Sequence, residues 1–339
     1  MKDTNQAIDF TIITGFLGAG KSTLLHHLLT DQHGKNLAII INEFGEIGID
    51  GALILDEAGD RMLEMNNGCV CCEVREDLVT AITKLLDNRN KGLIDFDHIV
   101  METTGIARPG PIVETLHTPN LKQLISLNGI ITVVDAFHIT SQLDEFAEAQ
   151  EQIGAADYII LNKIDLIDTE HLQQIQQRIS VMNVQAQMQL ANECKVDVKA
   201  LFNIAHNSIS RLNVGFISTP ISSQTTNSPL INSHNHKPHL DNISSLSIEI
   251  MEPLHKELLL DWFSFFIMRY EERLMRFKGI INFKDHDRRT IFQGIHSLFE
   301  AKLDRKWLDD EQPATRIVFI GRDLPEDEIR QGIKDCISN

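Results

Sequence analysis

The sequence predicts an α/β fold, a mostly parallel sheet flanked by helices, followed by a smaller α+β domain. Short β-rich runs alternate with amphipathic helical stretches over the first two thirds; a Ser/Asn/Thr/Pro-rich segment then interrupts the pattern; and beyond it strand-like runs surround one long helical stretch. The first set of strand-like runs is FTIITG ending at Gly15, LAIIIN ending at Asn42, HIVMETT, GIITVVDA and YIILNK. A helix is expected from about Lys21 to His33, with Leu24, Leu25, Leu28 and Leu29 as its apolar stripe and Gly34 placed to end it. Further helices are expected near Gln142 to Gly154 and Asp168 to Val181. The polar segment at 203–242 has weak periodicity and reads as an exposed linker, which divides the chain into 1–202, 203–242 and 243–339. In the last part SLSIEI, GIINFK, RTIFQGIHSLFE and TRIVFIG read as strands of an antiparallel sheet. They accompany a long helix around His255 to Met275 and a short one near Pro325 to Lys334.

The length of 339 residues favours two hydrophobic cores over one. A formal charge of −17 repels nucleic acid and anionic membrane, so any phosphate binding requires a local device rather than a basic face. No apolar run is long enough to span a bilayer, and the first residues lack a basic flank leading into a clean apolar stretch, so a cytoplasmic protein without membrane partners is expected. The five cysteines, three of them crowded at Cys69, Cys71 and Cys72, resemble a reduced thiol site rather than a disulfide framework.

GFLGAGKST, from Gly15 to Thr23, fits a phosphate-binding loop set between a strand and a helix. Gly15, Gly18, Ala19 and Gly20 let backbone N–H groups curl around phosphates at a helix N-terminus. Lys21 is expected on the β- and γ-phosphate oxygens and Ser22 on Mg²⁺. LNKIDL supplies Asn162, Lys163 and Asp165 at a strand end. A carboxylate at Asp165 can accept two hydrogen bonds from the guanine N1–H and exocyclic amine, a donor pair that adenine lacks. Alternatively this segment is a capping turn, with Asp165 or Asp168 as N-cap. Glu102 ends another strand where an acidic residue can face Mg²⁺ or the attacking water. It is the favoured catalytic partner of Lys21 over Asp135, because Thr103, Thr104 and Gly105 follow it as a loop able to sense the γ-phosphate.

NNGCVCCEV places Cys69, Cys71 and Cys72 within four residues. Thiolates are soft ligands suited to Zn²⁺, and Co²⁺ also accepts such sites, though three thiols leave a tetrahedron incomplete. Cys69 and Cys72 also form a CxxC pair open to redox chemistry, and buried cysteines often serve only packing, the default for Cys194 and Cys336. His234, His236 and His239 in SHNHKPH either load a metal transiently or are part of a solvated linker. His117 is an additional candidate ligand near the Glu102 loop, or a structural histidine.

GFLGAGKST, NEFGE, NGCVCC, ETTG and NKID, in that order, resemble the CobW family of metal-linked P-loop GTPases, relatives of HypB and UreG. RFKGIINF, IFQGIHSLFE and IVFIGRDLPEDEIR are similar to that family's C-terminal domain, particularly its YjiA-like branch, so the resemblance covers nearly the whole chain. It implies GTP and Mg²⁺ at Gly15 to Thr23, guanine recognition by Asn162, Lys163 and Asp165, and Zn²⁺ or Co²⁺ at Cys69, Cys71 and Cys72. NEFGEIGID, from Asn42 to Asp50, would be a switch segment with Glu43 and Glu46 near the γ-phosphate and the metal. Two positions depart from relatives: Ile41 stands where some carry an acidic residue, and Arg108 where many have Asp. The implied activity is slow GTP hydrolysis coupled to delivery of a metal to a client protein. A nucleotide-binding metal buffer or sensor, a GTPase whose CxCC is redox or structural, and an ATP-dependent kinase are the rivals. Homo-oligomerisation is left open.

Overall fold

The computed structural model describes residues 7–41, 52–55, 74–204 and 243–337. Its first part runs β1 (Ile8–Thr14), α1 (Lys21–Thr30), β2 (Leu37–Ile41), β3 (Ala52–Leu55), α2 (Val74–Asn90), β4 (His98–Glu102), α3 (Pro109–Leu116) and β5 (Ile125–Asp135). It continues through α4 (Ile139–Glu145), α5 (Ala147–Ala155), β6 (Tyr158–Asn162), α6 (Thr169–Met182), β7 (Gln187–Leu190) and α7 (Val198–Leu201). The strands form a seven-stranded sheet in the order β3-β2-β4-β1-β5-β6-β7. All its pairings are parallel except β2 with β3 at one edge. The central strands read as continuous apolar runs because both faces are covered. Phe10 and Ile12 of β1 pack with α2 and α3 residues such as Ile82, Leu85, Val113 and Leu116, while Ile13 faces Leu24, Leu25 and Leu28 of α1.

The second part comprises β8 (Ile243–Ile250), α8 (Lys256–Tyr270), β9 (Leu274–Ile281), β10 (Arg288–Ile295), β11 (Leu298–Lys306), β12 (Thr315–Arg322) and α9 (Glu326–Lys334). Its strands form an antiparallel sheet ordered β11-β10-β9-β12-β8. One face carries Phe277, Phe292 and Phe319 against Leu259, Phe263 and Phe266 of α8 and Ile329 and Ile333 of α9. The opposite face meets the first domain: Ile243, Met275, Val318 and Ile320 share a cluster with Ile153, Ile175, Ile179 and Met182. No helix among the described residues is long and apolar enough to cross a membrane.

Several elements differ from the sequence expectation. The long helix stops at Tyr270 rather than Met275, because Leu274 and Met275 are buried as the start of β9. The stretch from Gln142 to Gly154 is two helices, broken where Phe146 adopts an extended conformation at φ −125° and ψ 117°. α1 ends at Thr30, with Asp31 extended, so Gly34 lies beyond the helix end rather than at it. At the edge of the supposed linker, Phe202 and Ile204 are core residues, so the packed chain extends through Ile204; residues 205–242 lie outside the described set.

The domains are tied electrostatically as well as by apolar burial. Asp157 Oδ1 accepts from Arg276 Nη2 and Lys278 Nζ, both at 2.5 Å, while Asp157 Oδ2 takes the Ile130 N–H at 3.0 Å. Burial alone raises the Asp157 pKa, but Arg276 and Lys278 outweigh it and hold the carboxyl at about 2 instead of 3.8. Its stabilising contribution is therefore complete above 3.8 and is lost as pH falls through about 2. Asp157→Asn leaves two buried cations without their carboxylate and is expected to lower stability by roughly 3–5 kcal/mol at neutral pH, read by urea unfolding. An effect below about 1 kcal/mol would remove this cluster from the structural account.

Candidate functional site

Parallel pairing fixes where the motif residues meet. Ile13 of β1 lies opposite Glu102 of β4, Thr14 opposite Thr132 of β5, and Asp135 of β5 opposite Asn162 of β6. The loops after β1, β4, β5 and β6 therefore leave the same carboxyl edge of the sheet, where open α/β folds bind ligands.

The β1–α1 loop begins at Gly15 with φ +139°, where a Cβ would lie 2.1 Å from the Val133 carbonyl oxygen. It closes at Gly20 with φ +114°, where a Cβ would meet the Asn162 amide at 2.7 Å and the Cys194 sulfur at 2.8 Å. Only glycine satisfies both the left-handed backbone and this crowding. Gly20 caps α1 without a side-chain hydrogen bond, and no acidic residue occupies the first turn, which leaves the positive end of the helix facing the loop. Lys21 folds over the loop, its Nζ donating to Gly15 O at 2.9 Å and Phe16 O at 3.3 Å. Ser22 Oγ donates to Glu102 Oε1 at 2.8 Å. Ala19 is buried between these groups, whereas Ser22 and Thr23 are exposed.

β6 supplies the bracket on the other side. Asn162, buried at the strand end, donates through Nδ2 to Ala19 O at 2.9 Å, and its Oδ1 accepts the Cys194 N–H at 2.8 Å. Lys163, at φ +60°, donates to Gly18 O at 2.8 Å and to Asp135 Oδ2 at 2.7 Å. Asp135 also accepts from Phe137 N, His138 N and His138 Nδ1. Burial raises the Asp135 pKa, but the Lys163 and His138 hydrogen bonds prevail and lower it. Asp135 thus anchors Lys163, while Glu102 is the carboxylate that reaches Ser22.

Asp165 sits exposed in a 3₁₀ turn at Ile164–Leu166, its N–H donating to Asn192 Oδ1 at 3.1 Å. Capping of α6 falls to Asp168, whose Oδ1 accepts the His171 N–H at 2.8 Å, so the Asp165 carboxylate is not consumed as that cap. The sequence reading missed the 191–194 segment that completes this side. Glu193 and Cys194 are successive left-handed residues at φ +52° and +54°, and the Cys194 thiol donates to Gly20 O at 3.3 Å. Burial pushes that thiol up to about 12, so Cys194 is a packing residue as expected, but one packed on the phosphate loop. No local motif marks it.

The Glu102 loop is fastened from below. Thr103 donates its N–H to Ile13 O and its hydroxyl to Thr14 Oγ1, both at 3.0 Å. Gln152 of α5, almost fully buried, donates to Gly105 O at 3.1 Å and Ala107 O at 3.0 Å. Arg108 pairs with Glu148 at 3.2 Å and Glu151 at 3.3 Å on the same helix, which is what the departure at this position does here.

His117 is not a ligand candidate beside Glu102. It follows the far end of α3, eight residues or about 12 Å from the end nearer Glu102, and its Nδ1 donates to Val113 O at 2.9 Å. Glu43, Glu46, Cys69, Cys71, Cys72, His234, His236 and His239 lie outside the described residues. Among the described residues no group of three or more His, Cys, Asp or Glu side chains is placed to hold a metal ion.

The fold, phosphate loop and strand-end bracket define a P-loop nucleotide-binding protein. Residues 9–189 match the family model described as CobW/HypB/UreG, nucleotide-binding domain, and residues 243–337 match the Cobalamin synthesis protein cobW C-terminal domain. The chain belongs to the CobW/HypB/UreG family. It is 37% identical over 324 residues to the Zinc chaperone YjiA of Escherichia coli (strain K12), covering 95% of this chain and 96% of that protein. It is 33% identical over 356 residues to the Zinc-regulated GTPase metalloprotein activator 1 of Schizosaccharomyces pombe, covering 95% and 84%. The crystal structure of Zn(II)-bound YjiA GTPase from E. coli superposes with a TM-score of 0.73 at 34% identity, covering 98% of this chain and 100% of that one.

Asn162→Ala removes both arms of the bracket and leaves Ala19 O and the Cys194 N–H buried without this partner. The expected loss is roughly 2 kcal/mol in urea unfolding of the nucleotide-free protein, with weaker nucleotide binding. Unchanged stability and affinity would mean that the carboxamide does not hold the two loops together.

Proposed function

We propose that this protein binds and hydrolyses GTP and uses the nucleotide cycle to control delivery of a transition-metal ion, zinc foremost with Co²⁺ able to replace it, to a client metalloprotein. The convergence of Lys21, Ser22 and Glu102 with the Asn162–Asp165 segment at one sheet edge carries this reading.

In it, Gly15 to Thr23 enclose the phosphates with backbone N–H groups. Lys21 exchanges the Gly15 and Phe16 carbonyls for β- and γ-phosphate oxygens. Ser22 and Glu102 present hard oxygens already within 2.8 Å of each other, a donor set that fits Mg²⁺, whose charge would neutralise phosphate oxygens. Lys21 stabilises charge on the transferring phosphoryl group, and Glu102 is poised at the γ-phosphate end of the loop. Asp165 reads guanine, Asn162 holds the reading segment to the phosphate loop, and Lys163, straightened by Asp135, lies along it. Unassisted turnover is slow, as in GTPases that await a partner to complete the site.

For the metal, the support is chemical and comparative. Cys69, Cys71 and Cys72 are soft donors in a four-residue span, and a three-thiolate site leaves a fourth position exchangeable, as transfer to a client requires. Three relatives across two bacterial genera and yeast carry zinc in their names: the Zinc chaperones YjiA and CobW and the Zinc-regulated GTPase metalloprotein activator 1. The thiols lie in sequence between Asn42–Asp50 and the Glu102 loop, the two segments expected to respond to the γ-phosphate, so metal and nucleotide affinity become linked.

Asp165→Asn tests the nucleotide assignment: GTP affinity should fall at least ~100-fold while xanthosine triphosphate, whose C2 carbonyl accepts from an amide, gains. Retained guanine preference, or tighter ATP binding by the parent protein, would refute it. Competitive Zn²⁺ titration of the reduced protein tests the cargo: one tight equivalent is expected, lost in Cys71→Ser. Zinc binding unaffected by that substitution would exclude the cysteine site.

A further inference from the structure

Glu102 is followed by a loop, 103–108, that leads into α3. The loop touches the phosphate loop directly: a Cβ on Gly105 would lie 2.5 Å from Leu17 Cδ2. From below, α5 holds the Gly105 and Ala107 carbonyls through Gln152, and the Arg108 guanidinium through Glu148 and Glu151. The two helices that seat this loop, α3 and α5, are each met by a side chain of the second domain, and in both cases at a glycine.

On α3 the glycine is Gly110, buried at the second position of the helix. A Cβ there would lie 2.3 Å from Cδ2 and 2.4 Å from Nε2 of His296. On α5 it is Gly154, two residues beyond Gln152, where a Cβ would lie 2.7 Å from Met275 Sδ. Glycine within a helix costs about 0.5–1 kcal/mol relative to alanine, and at both positions the second domain occupies the space that a methyl group would need. The two residues that fill it are tied together, the His296 N–H donating to Met275 O at 3.0 Å.

His296 lies in the turn of the β10–β11 hairpin at φ +49°, in the left-handed region that histidine and asparagine enter more readily than most residues. Its neighbours Ile295 and Leu298 pack in the same cluster as Ile112, Val113 and Leu116 of α3, so the turn is wedged against the start of that helix. Burial pushes the His296 imidazole below its ordinary value against the pull of Glu151, Glu114 and Glu271. The ring is therefore neutral at neutral pH, and its contact with Gly110 is one of shape.

We propose that His296, braced by Met275, is a positioning residue for the Glu102 loop: the second domain sets where α3 begins and, through it, how the loop meets the γ-phosphate. The assignment rests on the GTP reading of the site given above and names its regulation. His296 acts only through Gly110. A movement of the loop on GTP binding is then matched by a movement of the hairpin, and a partner that shifts the second domain alters the preference for GTP over GDP.

The test compares the dissociation constants of a non-hydrolysable GTP analogue and of GDP, each with Mg²⁺, in wild type, Gly110→Ala, His296→Asn and the double variant. Alanine is the better helix former, so the added methyl is adverse only while the imidazole covers it. Asparagine tolerates the left-handed turn and is too short to cover Gly110. Each single variant should shift the analogue-to-GDP affinity ratio at least ~5-fold. Adding Gly110→Ala to His296→Asn should change that ratio by less than ~2-fold, because the methyl acts through the ring alone. General damage to the fold weakens both nucleotides together and leaves the ratio unmoved. Urea unfolding checks that each variant is folded, and His296→Asn decides alone if Gly110→Ala is not. An unchanged ratio in folded His296→Asn, or a Gly110→Ala effect that persists in the double variant, would overturn the assignment and leave the GTP reading intact. Failure of the wild-type protein to bind either nucleotide would overturn that reading, and this assignment with it.

Discussion

The site depends on the parallel pairing of β1 with β4 and β5, and of β5 with β6, and on the register these pairs hold at their carboxyl ends. Because parallel strands bring all their carboxyl ends to one edge, residues 15, 102, 135 and 162 arrive together although up to 147 positions separate them in sequence. A shift of one residue in β4 would exchange Glu102 for a neighbour on the opposite face and break its contact with Ser22. The long apolar runs that enforce this register, buried on both faces, are therefore part of the functional apparatus as well as the core.

Within that frame, polar groups at the edge satisfy one another. Lys21 bonds carbonyls of its own loop, Ser22 bonds Glu102, Lys163 bonds Gly18 and Asp135, and Asn162 holds Ala19 and Cys194. The phosphate loop is thus held in shape by groups from β4, β5 and β6, and a loop so braced lowers the ordering penalty of binding. Gln152 extends the same logic to the Glu102 loop, placing it against α5, which also packs on the second sheet through Ile153. A change in that loop is one helix away from the second domain.

Much of this was legible in the sequence where chemistry is local. GFLGAGKST, Glu102 at a strand end and NKID each state a role within a few residues, and the strand–loop–helix context of the first could be read from apolar patterning. The parts that were not legible arise from distant partners. Cys194 has no motif, and only the fold reveals it under Gly20; Gln152 looks like any polar helix residue until its amide is found on Gly105 and Ala107. Asp135 and Glu102 are similar in sequence, each a carboxylate ending an apolar strand, and only geometry separates the anchor of Lys163 from the partner of Ser22. The overrun of α8 into Leu274 and Met275 has a simpler cause: apolar runs suit a buried strand as well as a helix, and β9 pairing decides between them. His117 was placed near Glu102 by proximity in sequence, but α3 carries it to the opposite end of the domain.

In the function we propose, the nucleotide edge and the three thiols are energetically linked. The most direct measurement is the Zn²⁺ dissociation constant of the reduced protein, determined by chelator competition with Mg²⁺ and either a non-hydrolysable GTP analogue or GDP. Linkage predicts constants differing by roughly 5–150-fold between the two states, with the nucleotide affinities shifted by the same factor when zinc is present. Equal zinc affinity in both states would contradict the coupling and leave a GTPase whose metal binding is independent of its nucleotide.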